Sequence, residues 1–406
     1  MAVAPTPPAM AELRLAARTA RADALIDLSR SEPLPVPLPE RCAERVQAEF
    51  ARSRLYSAPG GLGPVREVLA RHASARGGLD VGAERVTITA GAMQGISVAL
   101  RALLRPGDEA IVARPHFHAH PHQVAMLGAE PRFADATASG GVLEPAALEP
   151  LVGPRTRALL LCNPANPAGV VLRRDQLAAL LAALPPRVAV VADEVYADYV
   201  YAGGFASMLS VVAEEDAGRE LIAVETASKT AGMPGWRVGA AVASTPELAA
   251  RVARAAGTLS GAPSTAGQLA YAAWLEDPPR LDRMAPYRPR LRDALELLGA
   301  AGLEVREPEG TYYVWARAPR GGGAPTADGA GGAPTAAPPI GSAERALELA
   351  RASGVLVWPG ALFGDRESVR VSLSVPRRDL REGLTRLADS WREVRLRDIP
   401  VSRSGR

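Results

Sequence analysis

RALLLCNP (157–164), RRDQLAALLAAL (173–184), RVAVVADE (187–194) and LIAVETAS (221–228) decide the fold. Three of these runs are short, apolar and bounded by breakers or polar residues; the other has helical spacing. Strands covered on both faces read as continuous apolar runs, and parallel neighbours need a crossover, usually a helix. Upstream the rhythm repeats: RVTITA (85–90) reads as a strand, QGISVALRALL (94–104) as an amphipathic helix and DEAIVA (108–113) as a strand. Strands alternating with helices predict an α/β domain with a mainly parallel sheet flanked by helices. Such sheets bind ligands beyond the carboxyl ends of their strands.

Downstream, a long helical region is expected from about Pro246 to Leu298. Strand patterns follow at TYYVWA (311–316), VLVWP (355–359) and VRVSLS (369–374), then a helix from about Arg377 to Val394. This second set predicts a smaller α+β domain. The expected division is 44–285 for the large domain and 11–43 plus 286–406 for the small one. Residues 1–10, rich in Pro and Ala, are expected to be disordered. Residues 321–342 (GGGAPTADGAGGAPTAAPPIGS) carry one charge, Asp328, and are expected to form a flexible surface loop.

Composition removes several function classes. With 406 residues, 48% apolar and 22% charged, the chain is that of a globular protein with a large core. No run of 18 uncharged apolar residues marks a membrane helix. The N-terminus has no apolar core of signal-peptide type, so a cytoplasmic location is expected. Two cysteines, Cys42 and Cys162, exclude a disulfide framework and a four-cysteine zinc site. A net charge of +3 with no basic block gives no reason to expect nucleic acid.

Among 47 basic residues there is one lysine, Lys229; the other 46 are arginines. Where positive charge suffices, this chain uses arginine. A lysine amine can lose its proton and attack a carbonyl, whereas a guanidinium stays protonated. Lys229 is therefore the candidate Schiff-base nucleophile.

The surrounding motifs give that lysine a context. SKTAGMPGWRVG (228–239), DEVY (193–196), NPANPAG (163–169), TAGAMQG (89–95) and LYSAPGGLG (55–63) fall near predicted strand ends or turns. RPHFHAHPHQ (114–123) and VRVSLS after WPGALFG (358–364) complete the set. Together, from about Ile26 to Leu387, they resemble the class I/II aminotransferases, fold-type I pyridoxal-phosphate enzymes of the aspartate aminotransferase superfamily.

The resemblance implies a role for each residue. Lys229 forms the aldimine with pyridoxal 5′-phosphate and carries the proton; Arg237 grips the phosphate through a bidentate fork; Ser228 and Thr226 add hydroxyl contacts. Asp193 pairs with the pyridinium nitrogen so that the ring accepts electrons through a quinonoid intermediate. Tyr196 and Asn166 reach the 3′-oxygen, and Asn166 also the substrate carboxylate. Gly91, Ala92 and Met93 present helix N-terminal amides to the phosphate. Phe117 stacks on the ring, with His120 behind it. Arg370 binds the substrate α-carboxylate, and Tyr56 reaches the phosphate of a neighbouring subunit, implying a homodimer with shared active sites.

Several positions depart from the family pattern. Ala168 stands where threonine is usual, His116 where tyrosine is common, and LSRSEPLPVP (28–37) has Arg30 and Glu32 but lacks the pocket glycine of relatives. His116, His118, His120 and His122 alternate as metal ligands can, but Pro121 interrupts them and no carboxylate or cysteine joins, so no metal is assigned. The expected activity is transfer of the amino group of an L-amino acid to a 2-oxo acid. The alternative is a pyridoxal-phosphate lyase, cyclase, or O₂-using oxidase or decarboxylase on the same scaffold. A ligand-sensing binder without activity is a third reading.

Overall fold

In a computed structural model of the chain, residues 25–319 and 339–397 are described, with Leu13, Leu15 and Thr19. The segment expected to be disordered (1–10) and most of the expected loop (321–342) lie outside them.

The chain forms two compact units: Glu32–Met284 with Glu309–Thr311, and the described residues of the remainder. The first contains a seven-stranded sheet in the order Val86–Thr89, Gly239–Ala243, Leu221–Thr226, Ala189–Asp193, Thr156–Cys162, Glu109–Arg114, Glu130–Asp135. Only Gly239–Ala243 runs antiparallel to its neighbours; the other pairings are parallel. Side chains alternate between two cores. Leu221 and Ala223 join one cluster and Ile222 and Val224 the other. Burial on both faces explains why these strands read as unbroken apolar runs.

The strand Glu130–Asp135 gives no clear signal in EPRFAD. It lies at the sheet edge, where Pro131 and alternate polar residues are tolerated. Arg219 closes the turn between the helix Met208–Glu215 and the strand Leu221–Thr226. Nearly inaccessible (2%), it donates from its guanidinium nitrogens to the carbonyls of Leu181, Leu184, Pro185 and Val188. Asp216 accepts from its Nε at 2.8 Å. These carbonyls follow the helix Arg174–Ala182 or end it, where backbone acceptors lack helical partners.

The expected boundary at residue 44 differs from the one observed. The helix Arg41–Ala48 buries Cys42 in the large core, and Arg41 Nε donates to Ala273 O at 3.0 Å, so residues from Glu32 belong with the large unit. The expected long helical region is three helices, Pro246–Ser260, Thr265–Glu276 and Arg288–Ala300. Gly261, at φ +71°, ends the first, and DPPRLDRMAP (277–286) separates the others.

In the second unit, Trp358–Pro359, Ser368–Ser372, Tyr313–Arg317 and Glu304–Val305 form an antiparallel sheet in that order. VLVWP serves two sheets: Val355–Leu356 pairs in parallel with Ile26–Asp27, and Trp358–Pro359 with Ser368–Ser372. Arg377 and Arg381 both bind Asp293, tying the helix Arg377–Arg397 to Arg288–Ala300. Among the described residues no helix is long and apolar enough to cross a membrane.

Candidate active site

The parallel strands end together, with Cys162 beside Asp193 and Asp193 beside Val224 in register. Side chains just past these ends share one edge of the sheet. Asp193 is 4% exposed, and His120 Nε2 lies 3.2 Å from its Oδ2. The Val195 amide donates to Oδ1 at 3.4 Å. Phe117 meets His120 edge-on, ring centres 5.3 Å apart. Asn166 Nδ2 donates to the Tyr196 hydroxyl at 3.3 Å, and Lys229 Nζ lies 5.7 Å from the centre of the Tyr196 ring. Lys229 sits in the turn of helix Ala227–Thr230, directly after the strand ending at Thr226.

Asn166 is held by its own loop. Asn163 imitates a strand pair, accepting from the Leu172 amide at 2.8 Å and donating to its carbonyl at 3.1 Å. Ala168 is buried (4%), and a Cβ on Gly141 would fall 2.5 Å from its methyl. That approach requires glycine at 141, beside the buried Ala168.

A second group surrounds Arg237. Its backbone is left-handed (φ +51°) after the turn Pro234–Trp236. Nη1 donates to Ser228 Oγ at 3.4 Å and Pro234 O at 2.8 Å, and Nη2 to Ala90 O at 3.4 Å. Thr226 Oγ1 is 3.1 Å from Ser228 Oγ and accepts from the Ser228 amide. Gly91 caps the helix Ala92–Leu103 at φ +77°, ψ +174°. A Cβ on Gly91 would lie 2.8 Å from Arg237 Nη2, so glycine permits this guanidinium to approach the helix N-terminus. A fork, two hydroxyls and orphan amides form a donor set suited to a phosphate dianion. The residues fit pyridoxal phosphate: donors for its phosphate, a buried carboxylate for its ring nitrogen, an amine for its carbonyl.

The histidine run divides by burial. Burial, helped by His120, Arg114 and His118, depresses the His116 pKa to about 3, against a smaller opposing effect from the Phe117 carbonyl. His116 is thus neutral, and it stacks on Phe133 at 5.4 Å. It is a packing residue. Cys162 is pushed up by burial and then by Asp193. Among the described residues no three His, Cys, Asp or Glu side chains gather as metal ligands.

Two further expected residues have their own surroundings. Tyr56 is 99% exposed, on a segment held by Thr265 Oγ1 donating to Leu55 O at 2.9 Å. Arg370 belongs to the second unit. It is 1% exposed, with its guanidinium carbon 4.0 Å from the Tyr313 ring centre and 5.3 and 5.2 Å from those of Trp358 and Phe363. Nη2 donates to Ser29 O and Ser31 Oγ, each at 3.3 Å. The motifs name Arg370 but not this aromatic box, although TYYVW and VWPGALF contain its rings.

The profile of the family "Aminotransferase class I and II" matches residues 23–387. The chain belongs to that family. This aminotransferase is 30% identical over 376 residues to the "Probable aspartate/prephenate aminotransferase" of Thermus aquaticus, covering 90% of this chain and 91% of that one. It is 29% identical over 372 residues to the aspartate aminotransferase of Thermotoga maritima, covering 90% and 91%. The crystal structure of the aspartate aminotransferase from Rhizobium meliloti superposes with a TM-score of 0.83 at 26% identity, covering 96% of this chain and 97% of that one. The fold is that of fold-type I pyridoxal-phosphate enzymes, and the protein is a transaminase. The lyase, cyclase and oxidase alternatives are not favoured, since these relatives are named as aminotransferases.

Proposed function

We propose that this transaminase binds pyridoxal 5′-phosphate through Lys229 and moves the amino group of an L-amino acid to a 2-oxo acid. The observation that carries this reading is the approach of Arg237 to Gly91 at a helix N-terminus, close in sequence to the chain's sole lysine. When bound, the cofactor supplies a carbonyl that exchanges amines and a ring that accepts electrons.

The chain's own residues do the rest. Arg237, Ser228, Thr226 and the amides of Ala92 and Met93 hold the phosphate; the Gly91 amide, expected to join them, instead donates to the Thr89 carbonyl at 2.8 Å. Asp193, ordered by His120, holds a proton at the ring nitrogen. Asn166 and Tyr196 hold the 3′-oxygen, and Phe117 packs on the ring. Lys229 Nζ takes and returns the proton at the substrate Cα. The family resemblance gives Arg370 the α-carboxylate; its aromatic neighbours keep water away from the fork, which strengthens the pair.

We further propose a cytoplasmic homodimer in which Tyr56 reaches a second copy's phosphate. Phe50 (61% exposed), Leu55 (67%) and Tyr56 (99%) form a short apolar segment suited to burial by that copy. Both cysteines are free, consistent with a reducing compartment.

A panel of amino donors with 2-oxoglutarate, headed by aspartate because relatives carry that name, gives the donor. Lys229→Ala should lose at least roughly a thousandfold in turnover. Borohydride reduction should fix the cofactor to wild type at Lys229 and leave the variant unlabelled. Wild-type turnover in Lys229→Ala would refute the assignment.

A further inference from the structure

A charged cluster that the proposed chemistry does not use adjoins the lysine in the chain. Glu225, four residues before Lys229, is 6% exposed in the strand Leu221–Thr226. Arg76, near the end of helix Gly63–Gly77, reaches it with Nη1 at 3.3 Å and reaches Asp198 Oδ1 with Nη2 at 3.1 Å. His72, one turn earlier, has Nε2 3.8 Å from Glu225 Oε2. No short motif unites these residues, which come from three separated segments.

The cluster brackets Lys229 on both sides. Glu225 precedes Thr226 and Ser228, the hydroxyls next to Arg237. Asp198 takes a side-chain hydrogen bond from Thr230, the residue after Lys229. The next residue, Tyr199, donates its hydroxyl to the Lys229 carbonyl at 3.0 Å. One guanidinium thus ties the strand entering the lysine turn to the segment that holds its exit.

We propose that Arg76 is a positioning residue for Lys229: by bridging Glu225 and Asp198 it fixes both flanks of the lysine and cancels the negative field of those carboxylates. The inference rests on the proposed role of Lys229. An amine must be neutral to attack, and uncompensated carboxylates nearby favour its protonated form. Burial works against the charge on Arg76, but Asp198 and Glu225 outweigh it and hold the guanidinium cationic. Burial likewise opposes the charge on Asp198, and Arg76 leads the groups that overcome it. His72 is held below its ordinary pKa by burial and contributes no compensating charge near neutrality.

Other titratable or charged groups near the lysine turn and cluster are Tyr196, Tyr199, Asp193, Arg237, Arg283, Tyr271 and Glu194. Of these, Glu194 is pushed by burial to about 7, so titrations are read as differences from wild type.

The test is a pH titration of the visible band of the holoenzyme, which needs no donor amino acid. A unit charge about 10 Å away, through an effective dielectric of about 20, moves a pKa by roughly one unit. Arg76→Met should raise the midpoint by about that much, Arg76→Lys should stay near wild type, and Arg76→Met/Glu225→Gln should return toward it. A midpoint in Arg76→Met within about 0.2 unit of wild type, with the band still lost in Lys229→Ala, would overturn the proposal while leaving the role of Lys229 intact. A band that survives Lys229→Ala would instead overturn the reading of Lys229. If Arg76→Met does not fold, Glu225→Gln alone decides: removing one negative charge should lower the midpoint, and an unmoved midpoint sinks the idea.

Discussion

Replacing Gly91 by alanine tests the phosphate site with one methyl group. The residue sits at φ +77°, ψ +174°, a region essentially reserved for glycine. Holding alanine there costs about 1–3 kcal/mol of backbone strain. The new Cβ would also lie 2.8 Å from Arg237 Nη2, below any ordinary contact, so the guanidinium must move. Losing one charge-assisted hydrogen bond to the phosphate removes about 1.5–3 kcal/mol, a weakening of cofactor binding of roughly 10- to 150-fold. The assay is equilibrium titration of the apoenzyme with pyridoxal phosphate, alongside thermal denaturation. Gly107→Ala is the matched control: φ is +89° there too, yet nothing lies within 4 Å of its Cβ. The control should lose stability and keep its affinity. A Gly91→Ala enzyme that binds cofactor within about twofold of the control would refute the inferred approach of Arg237.

Two further perturbations address the scaffold. Arg219→Met strands four carbonyls and Asp216 without their donor, and should destabilise the large unit by about 3–5 kcal/mol, seen as a lower denaturation midpoint. A midpoint equal to wild type would mean that water replaces the guanidinium. His116, depressed to about 3 in the folded chain, takes up its proton only on unfolding between roughly pH 6.5 and 3. Native stability should therefore fall as pH drops through that window, by about 1.4 kcal/mol per unit. His116→Tyr removes this linkage, so its stability relative to wild type should improve from pH 7 to pH 5; a difference constant across that range would contradict the buried neutral state.

What the sequence discloses follows the range of each interaction. Lys229, Asp193, Asn166 and Arg237 are legible because local motifs place them at or just beyond strand ends, and those ends share one edge of the sheet. The strand Glu130–Asp135 is not, because an edge position relaxes the apolar pattern that marks its neighbours. Nor is the boundary at Ser31/Glu32, which depends on the helix of Cys42 joining the large core and on Arg41 reaching Ala273, more than two hundred positions away. Arg76 with Glu225 and Asp198 is the clearest case of a long-range association. Each alone reads as an ordinary charge on a helix or strand end, and only folding joins them.

Confining the chain's single lysine to the turn after Thr226 makes the protein addressable by amine chemistry at one internal point. Acylating reagents and amine-directed cross-linkers, which decorate most proteins indiscriminately, have here only Lys229 and the terminal amine to find. Modification at the internal position therefore becomes a direct gauge of whether that pocket is open. If Lys229 holds the cofactor as proposed, an acetyl group placed there by any agent switches this enzyme off.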